Sequence, residues 1–198
     1  LSMIFNFHHL KVDYRNGEKW TKMPYDFEAL KSILHAWGEG MSDGNGWNAL
    51  FWNNHDQPRA LNRFIDWKDY RERGAKMLAA SIHLNRGTPY VYMGEEIGML
   101  DPEFSELEMY QDVETHNAYD ILISEGLNHQ KVMEIIQAKS RDNSRTPMQW
   151  DSTEHAGFST STPWLSTGKY TDITVEKDLE QGTIFTFYQK LIQLRKEK

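Results

Sequence analysis

The chain has 198 residues, no cysteine and a formal net charge of −7, with 39% hydrophobic and 13% aromatic residues. That length suits one domain with a real core. The acidic balance argues against nucleic acid as a partner, and the lack of Cys excludes disulfides and thiolate metal sites and fits a reducing compartment. No apolar run approaches the ~20 residues a membrane helix needs, so no membrane partner is expected.

Residues 2–7 read as a strand, and 8–25 as a polar loop bearing aromatic residues. Asp26 caps a helix on which Phe27, Leu30, Ile33, Leu34 and Trp37 fall at helical spacing, with Gly38 and Gly40 following it. After the Gly44-Asn45-Gly46 turn signal, 48–53 reads as a buried strand. A second helix is expected over Tyr70 to Asn85, packing through Met77, Leu78, Ala80, Ile82 and Leu84 and closed by Gly87. Thr88 to Tyr92 is the next strand, with Pro89 near its start. A long excursion then runs from about 94 to 180. It holds a helix from Glu108 to Glu125 stopped by Gly126, and another from His129 to Lys139 capped by Asn128 with a Val132/Ile135/Ile136 stripe. Residues 140–171 read as loop, and loops of that length in a compact domain are usually functional. The last helix starts near Thr183.

The chemistry concentrates in Asn53-Asn54-His55-Asp56-Gln57-Pro58-Arg59, directly behind the second strand. An amide, an imidazole and a carboxylate stand side by side where Pro58 stops the strand. In a barrel of parallel strands, the carboxyl ends of the strands are where active sites form.

This block resembles the third catalytic-carboxylate motif of the α-glucosidases in glycoside hydrolase family 13, the α-amylase superfamily. Gly87 to Met99 (GTPYVYMGEEIGM) resembles that family's eighth barrel strand and following loop, and Arg141 to Trp150 (RDNSRTPMQW) a loop block of its oligosaccharide-hydrolysing branch. The resemblance covers essentially the whole chain. It implies an α/β fold, a partial (β/α)8 TIM barrel comprising about strands 6 to 8 with their helices and a long insertion after strand 8. Residues 1–198 would be the C-terminal portion of one catalytic domain, cut at both ends.

Retaining glycosidases use two carboxyl groups, a nucleophile and an acid/base. By resemblance these follow barrel strands four and five, and the chain has no G-x-R-x-D block to supply the nucleophile. It is therefore expected to be inactive alone. Asp56 takes the third role implied by the family, stabilising the transition state, with His55 and Arg141 binding the same sugar. Arg59 and Glu114 are implied near the leaving-group side. Glu95 and Glu96 are expected to form structural salt bridges.

His8, His9, Lys11 and Lys19 follow the first strand and supply donors and positive charge that suit a phosphate dianion. Adjacent residues on a strand face opposite ways, so a His8/His9 metal chelate is not expected. The loop resembles the phosphotrehalase branch of the family, whose substrate is α,α-trehalose 6-phosphate. It resembles the oligo-1,6-glucosidase branch less, since a Glu commonly stands there at the first His. A phosphorylated disaccharide implies a cytoplasmic enzyme. No cofactor and no metal are implied. The competing reading is a non-catalytic, amylase-like interaction domain. Open sheet edges and an exposed apolar face are expected to make the isolated chain bind the rest of its barrel or self-associate.

Overall fold

The computed structural model describes residues 3–197. Three short strands, β1 (Ile4–Phe5), β2 (Asn48–Leu50) and β3 (Thr88–Pro89), form one parallel sheet in chain order. Phe5 pairs with Ala49, and Ala49 with Thr88. The strands are shorter than the sequence suggests, although Tyr90 N–H still donates to the Leu50 carbonyl at 2.7 Å. Ser2, placed in the first strand by its sequence, lies outside the described residues. Helices α1 (Phe27–Asp43) and α3 (Trp67–His83) carry the chain from strand to strand, and α7 (Ile184–Glu197) packs beside α3. Sequential parallel strands joined through helices are the repeating unit of a (β/α)8 barrel.

The main core joins Leu10, Leu30, Phe51, Trp52, Leu78, Ile82 and Tyr188. Phe5, Phe7, Tyr90, Val91 and Met93 remain exposed on the strands and their exits, the exposed apolar surface anticipated from the sequence. No described helix is long and apolar enough to cross a membrane.

Asp26 caps α1 as expected, its carboxylate accepting from Ala29 N–H at 2.9 Å, a contact worth about 1 kcal/mol. The helix does not stop at Gly38. It runs on to Asp43 through both glycines, closed by Gly44 N–H donating to the Gly40 carbonyl. Each glycine costs about 1 kcal/mol against Ala, but the helix end is held from outside, where Asn48 Nδ2 donates to the Trp37 carbonyl.

Helix α3 begins three residues before the expected start and kinks at Tyr70. Its buried stripe is Ala75, Leu78, Ala79 and Ile82, while Met77 and Leu84 are 55% and 62% exposed. Gly87 does not cap it; the cap is Leu84. Gly87 has φ +154°, and a Cβ there would stand 2.6 Å from the Asn48 carbonyl oxygen, so this glycine lets the chain enter β3 against β2.

The excursion after β3 has its own core of Phe104, Tyr110, Leu122, Val132, Ile136 and Leu165. The first helix expected there is split: Leu107–Met109 is a 3-10 turn, and α4 spans Val113–Ser124. Buried Asp142 causes the break by accepting the N–H groups of Gln111 and Asp112 at 2.7 and 2.8 Å. Helix α5 (His129–Lys139) matches the expectation, with Asn128 as its cap. Two short helices, α2 (Ala60–Phe64) and α6 (Val175–Gln181), were not legible in the sequence.

Candidate active site

The loop leaving β2 is built by its own amides. Asn53 is buried; its Oδ1 accepts the Ala60 N–H that opens α2, and its Nδ2 donates to Glu95, both at 2.7 Å. Asn54 Oδ1 accepts Asp56 N–H at 2.8 Å, a tight Asx turn. The next two side chains therefore project outward, and Asp56 is 45% and His55 70% exposed.

The 3-10 turn Arg141–Ser144 meets this loop from the long excursion. Arg141 Nη1 lies 3.5 Å from Asp56 Oδ1, and Arg145 Nη2 donates to the same oxygen at 3.3 Å. Arg145 Nε donates to the His55 carbonyl at 2.7 Å, and His55 Nε2 lies 3.3 Å from Asp56 Oδ2. Arg141 also donates to Asp112 at 2.7 Å and lies 3.5 Å from Glu114, which accepts from Lys19 Nζ at 2.8 Å. Burial pushes the Asp112 carboxyl up, but Arg141 and then Arg145 outweigh it and hold it below the usual range. Charges thus alternate from Asp56 through Arg141 and Arg145 to Asp112 and Glu114 and on to Lys19. Glu114 and Arg141 also line a cavity of about 1070 Å³ whose other walls include Arg15, Trp20, Lys22 and Asn117.

His55, Asp56, Arg141, Glu114 and Lys19 are therefore brought together. Arg145 and Asp112 join them unforeseen. Arg145 repeats the arginine of its own RDNSR block, and Asp112 stands two residues before Glu114, which are the only local signals for either.

Other candidates fall elsewhere. Arg59 does not face a substrate: it is 1% exposed, and its guanidinium donates to the Met93 carbonyl at 2.6 Å. His9 is a core residue, because the chain turns into a 3-10 helix at His8–Leu10 rather than continuing β1. Its Nε2 donates to the Phe51 carbonyl at 2.7 Å, and its ring packs edge-on against Phe51 and Trp52. Burial lowers its pKa to about 4, so it carries no charge for a phosphate at neutral pH. His8 is exposed, with Nδ1 donating to Asn6 Oδ1 at 2.6 Å, and Lys11 is exposed. Of the four phosphate candidates, only Lys19 contacts the Asp56 cluster.

Among the described residues, Glu95 forms no salt bridge. It is buried and accepts from Asn53 and from the Tyr188 hydroxyl, the latter at 2.8 Å, and burial raises its pKa to about 7. Among the described residues, no cluster of three or more His, Asp or Glu side chains is arranged to hold a metal.

The loop carrying Lys19 is anchored by a buried triad. Asp13 meets Arg63 Nη2 at 2.7 Å and Lys139 Nζ at 2.8 Å, with side chains 6%, 3% and 4% exposed. Burial pushes the Asp13 carboxyl up, but Arg63 and Lys139 together hold it below the usual range.

Comparison with known proteins places the chain in a family. The family described as "Alpha amylase, catalytic domain" matches residues 1–198. A trehalose-6-phosphate hydrolase from Bacillus subtilis is 55% identical over 198 residues, covering 99% of this chain and 35% of that protein. An oligo-1,6-glucosidase from Halalkalibacterium halodurans is 49% identical over 199 residues, covering 100% and 35%. The crystal structure of Bacillus licheniformis trehalose-6-phosphate hydrolase superimposes with a TM-score of 0.96 at 52% identity, covering 100% of this chain and 36% of that one. The chain spans about a third of the length of these relatives. Its three strands and their helices are an arc of the barrel they share, and the chain belongs to the α-amylase catalytic-domain family.

Proposed function

We propose that this chain supplies the glycosyl-stabilising part of a retaining α-glucosidase that cleaves α,α-trehalose 6-phosphate to glucose and glucose 6-phosphate. The arrangement of Asp56 carries the reading. Its half-exposed carboxylate is fixed between Arg141 and Arg145 and touches His55. A preoriented carboxylate stabilises the positive charge that develops on the sugar as the glycosidic bond breaks. His55 and Arg141 would donate to hydroxyls of the same sugar. The intact cluster argues against a non-catalytic scaffold.

By resemblance the nucleophile and the acid/base belong to barrel strands four and five, so these 198 residues alone are expected to hydrolyse nothing. Phosphate selectivity rests on Lys19, the one of the four phosphate candidates that reaches the cluster. The phosphorylated substrate in turn carries the assignment to the cytoplasm. The oligo-1,6-glucosidase reading is favoured by one observation, that His9 is withdrawn into the core. The exposed apolar residues of the sheet are where the rest of the barrel, or a second copy, would seat; a monodisperse monomer of the isolated chain in light scattering would contradict this.

The deciding experiment compares hydrolysis of trehalose 6-phosphate, trehalose and isomaltose at equal concentration by the protein at its full natural length. Preference for the phosphorylated sugar supports the proposal. Preference for isomaltose moves the assignment to the oligo-1,6-glucosidase branch, and no activity on any of the three favours the scaffold.

A further inference from the structure

We propose that Arg59 is a positioning residue that sets the geometry of the Asp56 cluster by tying together the three loops that build it; this rests on reading that cluster as the glycosyl subsite. Arg59 closes the motif loop and precedes α2. Its backbone N–H is fixed on Asp101 Oδ1 at 2.8 Å. From there the buried guanidinium reaches two carbonyls. Nη1 donates to Met93 at the exit of β3 at 2.6 Å, and Nη2 makes a long 3.5 Å contact with Ser144. The Tyr92 hydroxyl donates to the same Ser144 carbonyl at 3.2 Å, and the Tyr92 ring lies 5.5 Å from Arg59 Cζ.

Ser144 is the hinge of the arrangement. It precedes Arg145 and follows Arg141 by three residues, so its position decides where both guanidinium groups meet Asp56. Its carbonyl is held by Arg59 and Tyr92, and its hydroxyl donates to the Asn54 carbonyl at 2.9 Å, one residue before His55. The β2 loop, the β3 exit and the 141–145 turn are thereby locked to one another behind the exposed carboxylate. A planar fork can serve two separate carbonyls at once, whereas a lysine delivers a single point of charge.

The test uses the full-length protein with p-nitrophenyl α-glucoside as probe. Misplacing a stabilising carboxylate by a fraction of an ångström lowers kcat more than binding, so Arg59→Lys is expected to reduce kcat about 10- to 100-fold with KM changed less than about threefold. The same substitution is then combined with Arg145→Lys. If Arg59 acts through the 141–145 turn, the double variant loses about tenfold less than the product of the two single losses; a purely structural role leaves the losses multiplicative.

Tyr92→Phe removes one donor to the Ser144 carbonyl without burying a lone charge. It is expected to lower kcat about three- to tenfold with a thermal unfolding midpoint lowered by no more than a few degrees, and it carries the test should Arg59→Lys not fold. Multiplicative losses overturn the proposal. So does a kcat within about twofold of the parent in Arg59→Lys, or in Tyr92→Phe where Arg59→Lys does not fold. Asp56→Asn, measured alongside, separates the two levels of the argument. Full activity there refutes the glycosyl-subsite reading itself, whereas a severe loss there with no Arg59 effect refutes only the positioning role.

Discussion

Glu95 makes the sharpest prediction, because burial of its carboxyl outweighs its hydrogen bonds and the nearby Arg59 guanidinium. Its pKa rises from 4.5 to about 7. The folded protein therefore keeps a proton that the unfolded chain releases across that window. Stability contributed at this site is full below pH 4.5 and declines as pH rises to about 7. A rise from 4.5 to about 7, at ~1.36 kcal/mol per pH unit, amounts to about 3 kcal/mol.

Glu95→Gln imitates the protonated acid. The amide oxygen can still accept from Asn53, and the Tyr188 hydroxyl can turn to accept from the new amide N–H. The variant is expected to match the parent near pH 4.5 and exceed it by about 3 kcal/mol at pH 8, less up to about 1 kcal/mol for an imperfect hydrogen bond. Urea unfolding followed by tryptophan fluorescence at pH 4.5, 6 and 8 measures the difference directly. Subtracting variant from parent cancels the opposing His9 contribution, whose stability is lost as pH falls from 6.5 towards about 4. A difference that stays constant across the three pH values would refute the reasoning, since it would mean that Glu95 ionises alike in the folded and unfolded chains.

Two further outcomes are expected. Asp13→Ala leaves Arg63 and Lys139 buried and facing each other, and is expected to cost about 3–5 kcal/mol in urea unfolding at pH 7; a cost below about 1 kcal/mol would contradict the buried triad. Because the Asp13 carboxyl is held low, its contribution is present above the unfolded value near 3.8 and disappears as pH falls through the folded one, so parent and variant should converge in acid. Lys19→Ala should lower kcat/KM for trehalose 6-phosphate about 10- to 100-fold more than for trehalose, the range of one lost charge-assisted hydrogen bond. Equal losses on both sugars would remove Lys19 from phosphate recognition.

What the sequence disclosed was local. Asp26 and Asn128 cap helices because the signal and the structure lie within four residues of each other. The Asn53–Asp56 turn is similarly self-contained. What it concealed was decided at a distance. Arg59 reads as a residue on the leaving-group side, and only the loops near residues 93 and 144 bury it. His9 reads as a phosphate ligand because nothing nearby reveals the 3-10 turn that aims it at Phe51, 42 residues away. Asp112 reaches the site because Asp142 breaks the helix expected over Glu108 to Glu125, and Arg145 because the turn at 141–145 brings it to His55 and Asp56, 90 and 89 residues away. Helices α2 and α6 are too short for periodicity to register.

The anchoring of the loop after β1 has a consequence for how such a protein diversifies. Asp26 N–H donates to the Val12 carbonyl at 2.8 Å, while Asp13 is pinned by its two cations. The segment from 13 to 26 therefore leaves the scaffold and returns to it at nearly one point. A closed excursion of this kind can be lengthened, shortened or replaced at little entropic cost and without moving the strands beneath it. Residues 14–25, which include Lys19 and Trp20, form a cassette that recombination could exchange between relatives. New substrates could then be acquired while Asp13 and Asp26 kept every graft in register with the same unchanged carboxylate.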